Sequence, residues 1–184
     1  MPDILDDIID QHLPYEIDML RSTYRRLAAL SNIPPDKETH AEQVTRHALV
    51  ESFCTHARSL MDFFANQGTK SDDCTAEDLT DGFIPIDQDT EPLATFRTRF
   101  NKHIFHLTKK RTPGRPERFD VDKDGGRFLQ LIEPVIDRFI THLKPQYKHF
   151  KCNTEPVLFI LSFKNSTDTS SVQSVGSNFG MFDK

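Results

Sequence analysis

At 184 residues, with a net charge of −5 and 36% apolar residues, the chain is sized for one domain and too apolar to be wholly disordered. Cys54, Cys74 and Cys152 are an odd number without CxxC spacing, which suggests neither a disulfide framework nor a zinc knuckle. No apolar run approaches the ~18 residues of a membrane span and no basic-then-apolar leader opens the chain, so a cytoplasmic location away from membranes is expected.

Amphipathic helices follow in chain order. Pro14 suits a first helical turn, and Ile17, Leu20, Tyr24, Leu27 and Leu30 recur at three- and four-residue steps, predicting a helix over 14–31. Arg21, Arg25 and Arg26 lie off that stripe, and Asn32, Pro34 and Pro35 end it. Residues before Pro14 have room for a short acidic turn. A second helix over 37–66 carries Val50, Phe53, Ala57, Leu60, Met61 and Phe64, flanked by Val44, Ala48 and Leu49. At ~1.5 Å per residue its length, about 45 Å, makes it the spine of a bundle.

A linker rich in Asp, Thr and Ser follows, with a short helical turn at 75–81 before Gly82, Pro85 and the acidic run at 87–89. Thr90 is the N-cap of a third helix over 90–109, whose inward stripe is Leu93, Phe96, Phe100, Ile104 and Leu107. Thr112, Pro113 and Gly114 stop it. The fourth, over 126–144, turns Phe128, Leu131, Ile132, Val135, Phe139 and Leu143 inward around an internal Pro134. The expected fold is all-α: an up-and-down-like four-helix bundle over residues 1–150. Residues 151–184 read as a flexible, disordered tail with one apolar run at 157–163.

Charge is segregated along the chain. Acidic residues crowd the start and the stretch 72–91, whereas residues 97–118 hold Arg97, Arg99, Lys102, Lys109, Lys110, Arg111, Arg115 and Arg118 against Glu117 alone. That strip either pairs with its acidic neighbours as a solvated surface or attracts phosphate. Within it Arg99, His103 and His106 stand four and three residues apart and share one helical face. A guanidinium binds phosphate through parallel hydrogen bonds and an imidazole exchanges a proton near neutral pH, so the trio suits phosphodiester chemistry. On the second helix Glu51, Thr55, Arg58 and Asp62 line one side next to the apolar stripe. That side is a solvated face unless Arg58 or Asp62 is partly buried and paired across helices. A metal held by His103, His106 and Glu51 or Asp62 is a third reading, although the spacing lacks a second ligand pair.

Arg99 followed after six residues by His106, with the polar Asn101 between, resembles the signature of the HEPN superfamily of helical-bundle proteins. Asn101 stands one position later than the polar residue usual there. The string from Glu51 to Asp62, with Asn101-Lys102-His103-Ile104-Phe105-His106, also resembles a pattern recurrent among bacterial proteins. The resemblance implies a metal-independent endoribonuclease, completed by a homodimer and needing no cofactor, or a protein that binds RNA or nucleotides. It further implies a toxin or antiphage setting with a protein antidote as partner. By the same resemblance Arg99, Asn101 and His106 are catalytic, with His103, Glu51, Arg58 and Asp62 as a supporting polar face. Lys102, Lys109, Lys110 and Arg111 would hold the nucleic-acid backbone. The alternative is a non-enzymatic interaction or regulatory module that uses its Phe-rich faces for a partner helix, with His103 and His106 as ordinary histidines.

Overall fold

The structure is a computed structural model that describes residues 4–34, 36–66, 73–101 and 121–152. It is an all-α helical bundle: α1 (Ile4–Asp7), α2 (Leu13–Leu30), α3 (His40–Phe64), α4 (Ala76–Leu79), α5 (Leu93–Phe100) and α6 (Gly126–His142). Among the described residues there is no strand, only one antiparallel bridge between Thr80 and Leu143.

Helix begins well before Pro14, at Ile4, and passes into α2 through a π-helical turn at Ile8–His12. A proline inside a helix lacks an N–H and crowds the carbonyl four residues back, and a wider turn placed just before it relieves both problems. The widened turn also buries Ile9 completely. α3 starts at His40 behind Thr39, which exchanges hydrogen bonds with Glu42 in a capping box, so the segment at 37–39 stays outside the helix. Arg46 fastens this end, donating to the Leu30 carbonyl at 2.8 Å and to Glu38 at 2.7 Å.

α3 is divided. All its buried residues lie between Phe53 and Phe64, while Val44 is 53% exposed and Ala48 is exposed, against the flanking apolar role that the sequence gives them. Its C-terminal carbonyl at Phe64 accepts from Ile86 N–H, and Asn66 ends the helix with φ 52°, a left-handed conformation that asparagine tolerates. The Asn66 amide then exchanges two bonds with Glu77 at the start of α4, the short turn expected near Thr75. α5 begins at Leu93 rather than Thr90, and its expected continuation to 109, with Leu107, lies outside the described residues, as do the tail from 153 and the run at 157–163.

Two aromatic groups fill the core. Phe53, Phe96, Phe100 and Phe128 meet at ring separations of 5.4 to 6.1 Å, joining α3, α5 and α6. Phe63, Phe64, Phe83, Phe139 and Phe150 form the second group around the far ends of α3 and α6. The first group fixes the end of α5, which carries the polar residues of interest.

Candidate functional site

Helical spacing decides what the end of α5 presents. Phe96 and Phe100 are buried, so Arg97 and Arg99 between them project from other faces. Arg97 turns to Asp89 at 2.6 Å, a pair exposed by 38% and 71% and weakly stabilising. Arg99 turns the other way. Its Nη1 donates to Asp124 Oδ1 at 2.6 Å, with the two side chains 24% and 14% exposed. Asp124 belongs to a second π-helical turn, Val121–Gly125, which runs straight into α6.

Asn101 follows, its backbone N–H donating to the Arg97 carbonyl, and its side-chain Oδ1 is buried without a hydrogen-bond partner among the described residues. A carbonyl-type oxygen taken out of water unpaired is costly, so this orphan marks the site as polar and incomplete. Cys54 of α3 is fully buried. Burial pushes its thiol far above the usual range, and the carboxylates of Asp124 and Glu51 push it further. The structure thus brings Arg99 and Asp124 together at the end of α5, next to Asn101, while Glu51 stands exposed on α3.

Arg58 and Asp62 do not join them. They pair with each other along α3 at 3.6 Å with side chains 43% and 42% exposed, as a solvated face would. Lys102, His103, His106, Lys109, Lys110 and Arg111 lie outside the described residues. Among the described residues no group of three His, Cys, Asp or Glu side chains could hold a metal, and no helix is long and apolar enough to cross a membrane.

Sequence reasoning missed three polar features. Asp124 carried a faint signal, an acidic residue directly after the basic strip. Arg21 is buried and forms a bidentate pair with Glu133, at 2.8 Å and 2.5 Å, that raises its pKa further, chiefly through the hydrogen bond. Ile17, Arg21 and Tyr24 continue the four- and three-residue steps of the apolar stripe, so position 21 was inward by period although charged. His56 likewise follows Phe53 by three residues; it is buried, holds Glu16 through Nδ1 at 2.8 Å and meets the Tyr15 ring edge-on.

No protein-family model, curated protein or solved structure matches the chain.

Proposed function

We propose that the end of α5 is a phosphate site serving RNA, and that the protein binds or cleaves RNA by metal-independent transesterification, as the HEPN resemblance implies. The observation that supports this reading most is the unpartnered Asn101 oxygen two residues from an Arg99 held in place by Asp124. A guanidinium fixed at one N–H keeps its remaining donors for a phosphate oxygen, and a buried acceptor gains most from a ligand that brings a donor.

In this reading the ribose 2′-oxygen attacks phosphorus, the bond to the 5′-oxygen breaks, and a cyclic phosphate and a free hydroxyl result. Arg99 offsets the charge that grows on the pentacovalent phosphorus. His106 carries the proton at the attacking or the leaving oxygen, and Asn101 orients the substrate or the imidazole. Lys102, Lys109, Lys110 and Arg111 hold the backbone, with the salt sensitivity of any phosphate contact. A toxin or antiphage role in the cytoplasm, a homodimer and an antidote partner belong to the same proposal.

Purified protein incubated with mixed RNA, with and without EDTA, tests it. Cleavage is expected to persist in EDTA and to fall by ~100-fold or more in His106→Ala and Arg99→Ala, with circular dichroism unchanged. Equal cleavage by all three proteins would trace the activity to a contaminant and remove the nuclease reading. One observation favours the interaction module as the second reading: Ala41, Val44 and Ala48 in the first turns of α3 are exposed, although a capping box and Arg46 fasten that end. RNA neither bound nor cut, with His106→Ala unfolded, would leave that reading in place.

A further inference from the structure

Gly126 opens α6 against the Tyr24 side chain of α2. A Cβ at that position would stand 2.7 Å from the tyrosine hydroxyl oxygen, nearer than van der Waals contact permits, whereas the ring carbon Cζ would lie at an ordinary 3.5 Å. The tyrosine cannot swing aside, since it is 4% exposed and its ring packs on Phe53, itself fully buried against Phe128. Nor can the two helices simply part. Arg21 of α2 holds Glu133 of α6 at 2.8 Å, about two turns along from Gly126. The missing side chain therefore sets how far the first turn of α6 settles onto α2.

Asp124 stands two residues earlier, in the π-helical turn Val121–Gly125 that runs into α6 and packs on α2. Its carboxylate meets Arg99 Nη1 at 2.6 Å and has a further partner besides, so the turn as well as Arg99 fixes its place. A turn displaced by several tenths of an ångström carries the carboxylate with it, and the guanidinium follows or loses the bond. We infer that Gly126 is a positioning residue: by letting Tyr24 close on the start of α6, it places Asp124 and, through it, the Arg99 guanidinium at the reacting phosphorus. The inference rests on the phosphate reading of Arg99 and adds α2 to the frame of that site. Misplacement of this kind shows in kcat more than in KM, because Arg99 acts on the charge that grows in the transition state.

The test uses the full chain and a short oligoribonucleotide, at a temperature where circular dichroism shows each variant folded. A misplacement of ~1 Å can cost about 100-fold, so Gly126→Ala should lower kcat about ten-fold or more while KM moves less than about three-fold. Tyr24→Phe removes the hydroxyl alone and makes room for the methyl group. The Tyr24→Phe/Gly126→Ala protein should accordingly recover kcat to within about three-fold of wild type. In an Asp124→Ala background, itself impaired in kcat, Gly126→Ala should cost nothing more, because both act through one link.

A Gly126→Ala protein that cuts as fast as wild type, a loss that Tyr24→Phe does not restore, or an undiminished further loss in the Asp124→Ala background would overturn the inference. A fall in Arg99→Ala would then leave the phosphate reading standing by itself. If Gly126→Ala does not fold, Asp124→Ala decides: wild-type kcat in that variant overturns the inference, and a loss confined to kcat upholds the link. If wild type does not cut RNA, the inference falls. RNA affinity that drops in Arg99→Ala would in that case keep the phosphate reading, and affinity unmoved would remove it too.

Discussion

Two arginine–carboxylate pairs tie α6 and the turn before it to the rest of the bundle, and they are built differently. Arg21 and Glu133 meet fork to fork, through Nε at 2.8 Å and Nη2 at 2.5 Å, and the remaining Nη1 reaches Cys152 Sγ at 3.7 Å. The side chains are 7% and 22% exposed, so α2 and α6 are locked by a guanidinium whose donors are turned to the protein. Arg99 and Asp124 meet at one point, beside an Asn101 oxygen that no described residue satisfies. The same two chemical groups serve as a clasp in one place and as an open seat in the other. The number of donors already spent separates the two, more than the charges themselves do.

The largest effect that distinguishes them is on stability. Arg21→Ala leaves Glu133 largely buried without its partner, and the expected loss is about 3 kcal/mol by urea denaturation. Replacing both partners with apolar residues, Arg21→Met with Glu133→Leu, should recover most of that loss, since a buried pair is held together mainly against the cost of desolvating its own charges. RNA binding by the double variant should match wild type. A single-variant loss below ~1 kcal/mol would mean that Arg21 is no clasp, and the contrast with Arg99 would dissolve.

Much of the frame around both pairs was legible. The apolar periodicities placed α2, α3, α6 and the described part of α5, with most of their inward residues, because burial of Phe53, Leu60, Phe64, Phe96, Phe100, Ile132 and Phe139 follows from spacing alone. Boundaries were less so: Pro14 reads as a beginning, but a π-helical turn carries the helix through it. Of the site, Arg99 and Asn101 stood out by residue type. Asp124 did not, since its partnership joins residues 25 apart in sequence and depends on how the turn before α6 returns to the end of α5. Arg21 and His56 are charged or polar types that usually face outward, although the helical period turns both in. Both found partners on other helices, the condition on which a buried polar group is tolerated.

Each pair also borders a cysteine, which gives a smaller, pH-dependent way to compare them. Cys54, on which the Asp124 carboxylate acts, is fully buried and its thiol is pushed far up by burial first and by the charges of Asp124 and Glu51 second. In the unfolded chain a thiol ionises near ~8.5. Below that pH both states keep the proton and Cys54 leaves stability unaffected by pH. Above it the unfolded chain ionises while the fold cannot follow, so stability falls as pH rises. Cys74, pushed up to about 11 by burial and by Asp78, should act in the same direction. Denaturation midpoints measured from pH 8 to 10 should therefore decline, and Cys54→Ala should flatten the decline. An unchanged slope in that variant would place the titration elsewhere and detach Cys54 from the site's electrostatics.

The smallest expected effect concerns a third arginine–carboxylate pair, Arg58 with Asp62, which the sequence placed on the same functional face as Glu51. The two are neighbours along α3 at 3.6 Å, and each is exposed by more than two-fifths. Coulomb attraction at that separation in water is offset by the freedom lost in holding two long side chains together. Along the helix Asp62 also stands about 16 Å from Glu51, at ~1.5 Å per residue, too far for one phosphate to touch both. Arg58→Ala should accordingly change stability by less than ~0.5 kcal/mol and leave RNA affinity as it is, once the loss of one distant positive charge is screened at ~0.15 M salt. If affinity instead falls as far as in Arg99→Ala, the RNA path runs along the whole polar side of α3, and the seat at the end of α5 is only one station on it.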